Sequence, residues 1–527
     1  MNSPRSYWYP IVLSGVLIAG LLIGNVLSSR RTDFEASYSN SKYSKLQDIL
    51  SILDQKYVDS VNSDKLFEET IGDMLHKLDP HSNYIPARDL ALINESIEGQ
   101  FGGIGVRFLV LRDTICVTNV IENSPSAAAG LKAGDKIILV DSKKVAGVKI
   151  STEDVMKKLK GKPNSIVKVE LLRDKTKLTK NIQRGLIPIE SVDASYMIDK
   201  ETGFIHISEF SMTTTLEFIE AANDLKSKGM KKLVLDLRNN GGGVLKAAID
   251  IADEFLEAGN PIVSTKGVHT ASETYEATSR GDLHKIKLVV MINSYSASAS
   301  EIVAGAIQDN DRGIIVGRRS FGKGLVQEDV RLRDGSDLRL TIARYYTPSG
   351  RSIQKSYKEG YEDYYQDQMN RYESGELYKQ DTSLMVDSLK FKTKNGRIVY
   401  GGGGIMPDVF VPFDSLGNSW YYTDLRLSPA FGAFAFDYLQ GKRNTWKSLA
   451  DFSKNFKVDE ALFQRFVNFA EKEMKVKRDL GDLKTSRKLI ERSIKNEIAR
   501  SIWLEEGYFQ IMNQSDNEVL RALKAFK

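Results

Sequence analysis

The stretch Lys287-Leu288-Val289-Val290-Met291-Ile292-Asn293-Ser294-Tyr295-Ser296-Ala297-Ser298-Ala299-Ser300-Glu301 decides how the chain is read. After Lys287, the five residues 288–292 form an apolar run with no alternation, as expected of a strand buried on both faces in a parallel sheet. Small polar residues follow. Then Ile302, Val303, Ala306 and Ile307 recur at helical spacing, which predicts a helix over 298–308. Upstream, Lys232-Leu233-Val234-Leu235-Asp236-Leu237 repeats the pattern, with a glycine turn and a predicted helix over 244–256. Downstream, Gly313-Ile314-Ile315-Val316-Gly317 reads as a third buried strand. Strands alternating with helices from about 203 to 318 predict βαβ units and an α/β core.

Outside this core the character changes. Residues 96–185 carry short β-rich runs broken by glycines, with one predicted helix near Thr152–Leu159. Residues 43–78 and the last hundred show helical periodicity, including Ile490, Ile494, Ile498 and Ile502 at every fourth position. That stripe must pack on the chain's own body or on a partner chain, and a homodimer through it is the sharper expectation. Hairpin signals stand at Asp334-Gly335 and Asn395-Gly396. Residues 355–390, rich in Tyr, Gln and charge, read as an exposed insertion.

Composition narrows the function classes. The chain has 527 residues, 41% hydrophobic and 27% charged, so neither wholesale disorder nor a polytopic membrane protein fits. The formal net charge of +5 is too small over this length to predict nucleic-acid binding. Cys116 is the only cysteine, which excludes an intrachain disulfide framework and a cysteine zinc cluster. The five histidines are too far apart for an HExxH zinc site, and no metal or cofactor is expected. Residues 10–27 are apolar and uncharged, and about 18 residues at 1.5 Å rise just cross a bilayer core. A membrane anchor within residues 1–32 is expected, with a cleaved signal peptide as the alternative.

Three small-residue loops follow strands, where ligands bind in open α/β sheets. In Asp236-Leu237-Arg238-Asn239-Asn240-Gly241-Gly242-Gly243 the glycines allow close approach of backbone N–H groups. The loop lacks the lysine and hydroxyl of a P-loop. In the second loop, Ser298 and Glu301 make an S-x-x-E capping box, or Ser298 is a nucleophile on a strand-to-helix turn with the Ala299 N–H facing a developing oxyanion. The third, Phe321-Gly322-Lys323-Gly324-Leu325-Val326-Gln327, sets a lysine between two glycines. This is an exposed turn lysine or a desolvated amine serving as base, with Gln327 fixing its direction.

Together with Leu78-Asp79-Pro80-His81-Ser82, Gly102-Gly103-Ile104-Gly105-Val106, Ser124-Pro125-Ser126, Thr347-Pro348-Ser349-Gly350-Arg351 and Gly404-Ile405-Met406-Pro407-Asp408, these loops make a chain that resembles the C-terminal (tail-specific) processing peptidases of the S41 family. The resemblance runs from about residue 40 to 412. It implies a multidomain α/β architecture: a crotonase/ClpP-like protease core at 186–415, a PDZ domain at 96–185, an N-terminal helical region at 33–95 and a helical C-terminal extension at 416–527. It also implies a serine endopeptidase with Ser298 as nucleophile, Lys323 as base 25 residues on, Gln327 in support and Gly242 with Ala299 as oxyanion donors. The Gly102, Gly103, Ile104, Gly105 and Val106 segment would bind the terminal carboxylate of protein or peptide substrates with apolar tails, Ile104 and Phe108 facing the tail. Related enzymes work in the bacterial envelope, so a periplasmic catalytic part is expected. The alternatives are a serine hydrolase using His81 as base and a non-catalytic PDZ scaffold.

Overall fold

The computed structural model describes residues 44–383 and 385–526; the expected anchor lies outside them. Among the described residues no helix is long and apolar enough to cross a membrane. Among the described residues, 44–78 belong to one compact unit and those from Asp79 on to a second. In the first, helices Ser44–Lys56 and Ser63–His76 are described, the latter capped by Asn62, whose side chain accepts from the Lys65 N–H at 3.0 Å.

The second unit is built on a six-stranded sheet in the order Val192–Met197, Thr202–Ile207, Lys232–Asp236, Lys287–Ile292, Ile314–Gly317, Val409–Phe410. Every pairing is parallel except the first. The predicted strands are present, and the predicted helices fall at Leu245–Phe255 and Ala299–Asp309. Apolar runs without alternation are explained by burial on two sides. Leu235, Val290 and Ile292 pack with helices Thr214–Ser227, Leu245–Phe255 and Ala299–Asp309. Val234, Val289, Met291 and Val316 face the other way, where Val519 and Ala522 of helix Asn517–Ala525 cover them. The helical C-terminus is therefore not a simple extension, because its last described helix closes the back of the central sheet.

A second, antiparallel sheet contains Asn83–Ile85, Pro261–Lys266, Glu273–Glu276 and the hairpin Leu325–Arg331/Asp337–Tyr346. It carries the segment after the lysine loop. The β-rich region forms a sheet ordered Val106–Leu111, Thr114–Val120, Lys136–Val140, Ile166–Arg173, Thr176–Gln183, with helix Thr152–Leu159 beside it. Val106–Leu111 is its terminal strand, so one backbone edge is free to pair within this sheet.

Two expectations are corrected. Ile490, Ile494 and Ile498 are at most 1% exposed, packed with Phe434, Phe452 and Phe466 of neighbouring helices. The stripe is satisfied internally and supplies no reason for a dimer. Residues 355–390 are not a simple exposed insertion either. They contain helix Tyr361–Glu373, whose Tyr364 and Arg371 are each 2% exposed.

Candidate active site

The strand Lys287–Ile292 delivers the chain to Ser298, which stands at φ +55°, ψ −112° immediately before helix Ala299–Asp309. For a residue with a Cβ this backbone costs about 1–3 kcal/mol and persists only where surroundings enforce it. It is the geometry of a nucleophile turn, with the side chain lifted off both strand and helix. The enforcement is visible. Asn240 O accepts from the Ala297 N–H and the Ser300 hydroxyl, both at 3.0 Å, which joins the glycine loop to the serine loop. Gly242, at φ +101°, lies so close that an added Cβ would stand 2.7 Å from Ser298 Cβ.

Ser298 and Lys323 line one cleft of about 440 Å³ with His81, Gly241, Gly243, Ala299, Gln327 and Tyr345. Two buried groups join the backbones of Ser298 and Lys323. Glu301, fully buried, accepts from the Ser298 N–H at 2.9 Å and the Lys323 N–H at 2.8 Å through the same Oε2. Its Oε1 accepts from the Ser320 hydroxyl at 2.5 Å and the Gly322 N–H at 2.7 Å. On the other side the Tyr345 hydroxyl lies 3.2 Å from Ser298 O and in contact with Lys323 O. The S-x-x-E pattern marks Glu301 as a helix cap. It is a cap, and it is also the link between the two loops.

Lys323 is partly buried, and its Nζ makes no hydrogen bond or ion pair among the described residues. Burial, with the Arg339 charge adding to it, pushes its pKa down to about 8. A sizeable neutral fraction is then present near neutrality, as a general base requires. His81 also reaches the cleft, but burial and the Lys323 charge push its pKa down to about 3. Its Nε2 is 2.9 Å from the Tyr364 hydroxyl. So weakly basic an imidazole is a poor proton acceptor for a serine. Asp79 explains the rest of that motif. It accepts from the His81 and Ser82 N–H groups at 2.8 and 2.9 Å and from the Thr341 hydroxyl at 2.9 Å, pinning the loop to strand Asp337–Tyr346.

Two expected roles shift. Gln327 Nε2 donates to Thr341 Oγ1 at 3.3 Å rather than orienting Lys323. The Gly242 N–H is already taken by Asn240 Oδ1 at 2.8 Å, so it is not an available oxyanion donor. The Gly241, Gly243 and Ala299 N–H groups carry no hydrogen bond among the described residues, and all three residues line the cleft. Leading into the terminal strand Val106–Leu111, the carbonyls of Gly102, Ile104 and Gly105 accept from Gly161, Ser126 and Ile121 N–H groups at 2.9–3.1 Å. The Ile104 and Gly105 N–H groups make none among the described residues. Ile104 is 2% exposed and Phe108 packs against the same core, so both are largely structural.

A strained serine, a partly buried lysine and unbonded amides in one cleft, with a six-stranded β-rich sheet that has a free edge, are the features of a serine-type peptidase carrying a PDZ domain. Residues 201–362 match the description "Peptidase family S41" and residues 102–183 "PDZ domain", while 421–504 match a family of unknown function. The "Carboxy-terminal-processing protease" of Bartonella bacilliformis is 37% identical over 348 residues, 65% of this chain and 79% of the relative. The "Carboxy-terminal processing protease CtpA" of Bacillus subtilis is 32% identical over 360 residues, 67% of this chain and 76% of that one. Among solved structures, a "Photosystem II D1 C-terminal processing protease" shares 30% identity with a TM-score of 0.34, covering 60% of this chain and 85% of its own. The chain belongs to the carboxy-terminal processing proteases of peptidase family S41.

Proposed function

We propose that this peptidase cleaves proteins near their C-termini through a Ser298–Lys323 dyad, after its PDZ domain has captured the free tail. The observation that carries the reading is Glu301 Oε2, which holds the main chains of Ser298 and Lys323 on one atom within a single cleft. Neutral Lys323 removes the Ser298 proton and the alkoxide attacks the peptide carbonyl. The Ala299 N–H, with those of Gly241 and Gly243, receives the oxyanion, each such donor contributing about 3–4 kcal/mol to the transition state. Lys323 then protonates the leaving amine and activates water against the acyl-enzyme.

The tail's carboxylate is met by the Ile104 and Gly105 amides, and its extended backbone adds to the free edge of Val106–Leu111. Residues 10–27 support an anchored, N-in arrangement with the catalytic part in the periplasm, since an enzyme that trims tails is safer outside the cytoplasm. Cleavage of a peptide pool with free or amidated C-termini tests the reading. Free tails are expected to be cut, amidated ones spared, and Ser298→Ala and Lys323→Ala each to be inactive. Appreciable turnover by Lys323→Ala removes the dyad. Resistance of residues beyond about 33 to protease added to intact spheroplasts removes the periplasmic placement.

A further inference from the structure

The helix Tyr361–Glu373 supplies none of the described residues that line the catalytic cleft, yet it bonds to the serine loop, the lysine loop and the Asp79–Ser82 loop. Gln368 Nε2 donates to Ser294 O at 2.7 Å, four residues before the nucleophile. Arg371, 2% exposed, spans three consecutive carbonyls just before the base: Arg319 O at 3.2 Å, Ser320 O at 2.9 Å and Phe321 O at 3.1 Å. Tyr364 meets His81 at 2.9 Å, and the Tyr365 hydroxyl donates to Pro80 O at 3.1 Å. Lys355 closes the joint from below. Its ammonium lies 3.9 Å from the Phe321 ring centroid and donates to Tyr364 O at 2.9 Å.

We propose that this helix is a brace that sets the dyad geometry, with Gln368 and Arg371 as positioning residues for the serine loop and the lysine loop respectively. The inference rests on the Ser298–Lys323 reading. Its physical argument is the sensitivity of transfer steps to distance, since a displacement of about 1 Å costs on the order of a hundredfold in rate. Arg371 suits the task because its planar five-donor fork reaches three carbonyls while its Nε stays on Asp367 at 2.9 Å, which a three-donor ammonium cannot match. A solvent-facing decoration would not bury an arginine against main-chain oxygens of the loop that ends in Lys323.

The test is cleavage of an apolar-tailed peptide with a free C-terminus by Gln368→Ala and Arg371→Lys, with thermal melting, kcat, KM and the pH profile measured together. Gln368 is only half-buried, so its truncation keeps the test alive if the arginine variant fails to fold. The brace predicts a ten- to hundredfold fall in kcat at full folded fraction, KM within about threefold, and a shift of the alkaline-activated limb by half a unit or more. A kcat equal to wild type overturns it, as does a loss that only tracks the unfolded fraction with the limb in place. Ser298→Ala and Lys323→Ala run in the same assay: if they retain activity, the dyad reading fails; if they are dead and the helix variants are not, only the brace fails.

Discussion

Lys323 carries the sharpest consequence at the scale of one residue. With its pKa near 8 the amine deprotonates as pH rises through that value, so kcat/KM is expected to climb from pH 6 to 9 and then level, which a peptide-cleavage profile measures directly. The same depression costs stability. Folded Lys323 releases its proton near 8 and the unfolded residue near its ordinary 10.5, so stability rises with pH between those values and is lowest below 8. Lys323→Met is therefore expected to abolish turnover while raising the unfolding free energy at pH 7 by about 1–3 kcal/mol, read by denaturant titration. His81→Ala, by contrast, is expected to retain activity within about tenfold, because an imidazole near pKa 3 is a poor proton acceptor. Small residues and glycines where strands end drew attention to Ser298 and Lys323, but spacing left a helix cap and an exposed turn lysine open, and only the resemblance paired them. Glu301 was half legible, since S-x-x-E announces a cap and says nothing of which other loop the carboxylate will reach. The partners of Gln327 and Gly242 depend on Thr341 and Asn240 side-chain directions, which spacing does not encode.

Elements divide by how they are buried. Lys232–Asp236 and Lys287–Ile292 could be read because both faces are covered and nothing polar interrupts them. Pro261–Lys266 and Glu273–Glu276 escaped, being short and mostly polar, paired at the margin of the second sheet. Helix Tyr361–Glu373 was misread because its buried residues include an arginine whose satisfaction comes from carbonyls, and hydropathy periodicity is blind to that. The turn at Gly242 gives a test at this scale. Gly242→Ala meets both a backbone at φ +101° and Ser298 Cβ at 2.7 Å, so the serine turn must shift. Loss of activity of at least a hundredfold is expected, with the melting temperature lowered by no more than a few degrees, measured by cleavage assay and calorimetry.

Across the whole second unit, the C-terminal helices hold both the sheet and the PDZ region. Arg112 pairs with Asp437 at 2.7 Å and Glu473 at 3.0 Å, and Leu111 and Cys116 pack on Ala433 and Phe436. Arg443 donates to Thr118 O at 2.6 Å and Ser501 O at 2.7 Å. Deletion after about residue 445 is therefore expected to give an aggregating chain rather than a tidy monomer, as sedimentation will register. Helix Asn517–Ala525 follows Asp516, and the pair Asp516 and Glu518 neutralises Arg238 and Arg318 at the ends of the central strands. Removing residues 516–526 bares Val234, Val289 and Met291 and leaves those arginines short of partners, a loss of about 3–6 kcal/mol. Order of synthesis gives that arrangement a further meaning. The covering helix is synthesised after every strand it covers, so a chain that stops short of it carries a half-closed sheet. Chains arrested near residue 510 are expected to be cut readily by an added protease and to show no peptidase activity, whereas chains released past 526 resist and cleave. Cleavage competence is therefore expected to wait for the last described helix.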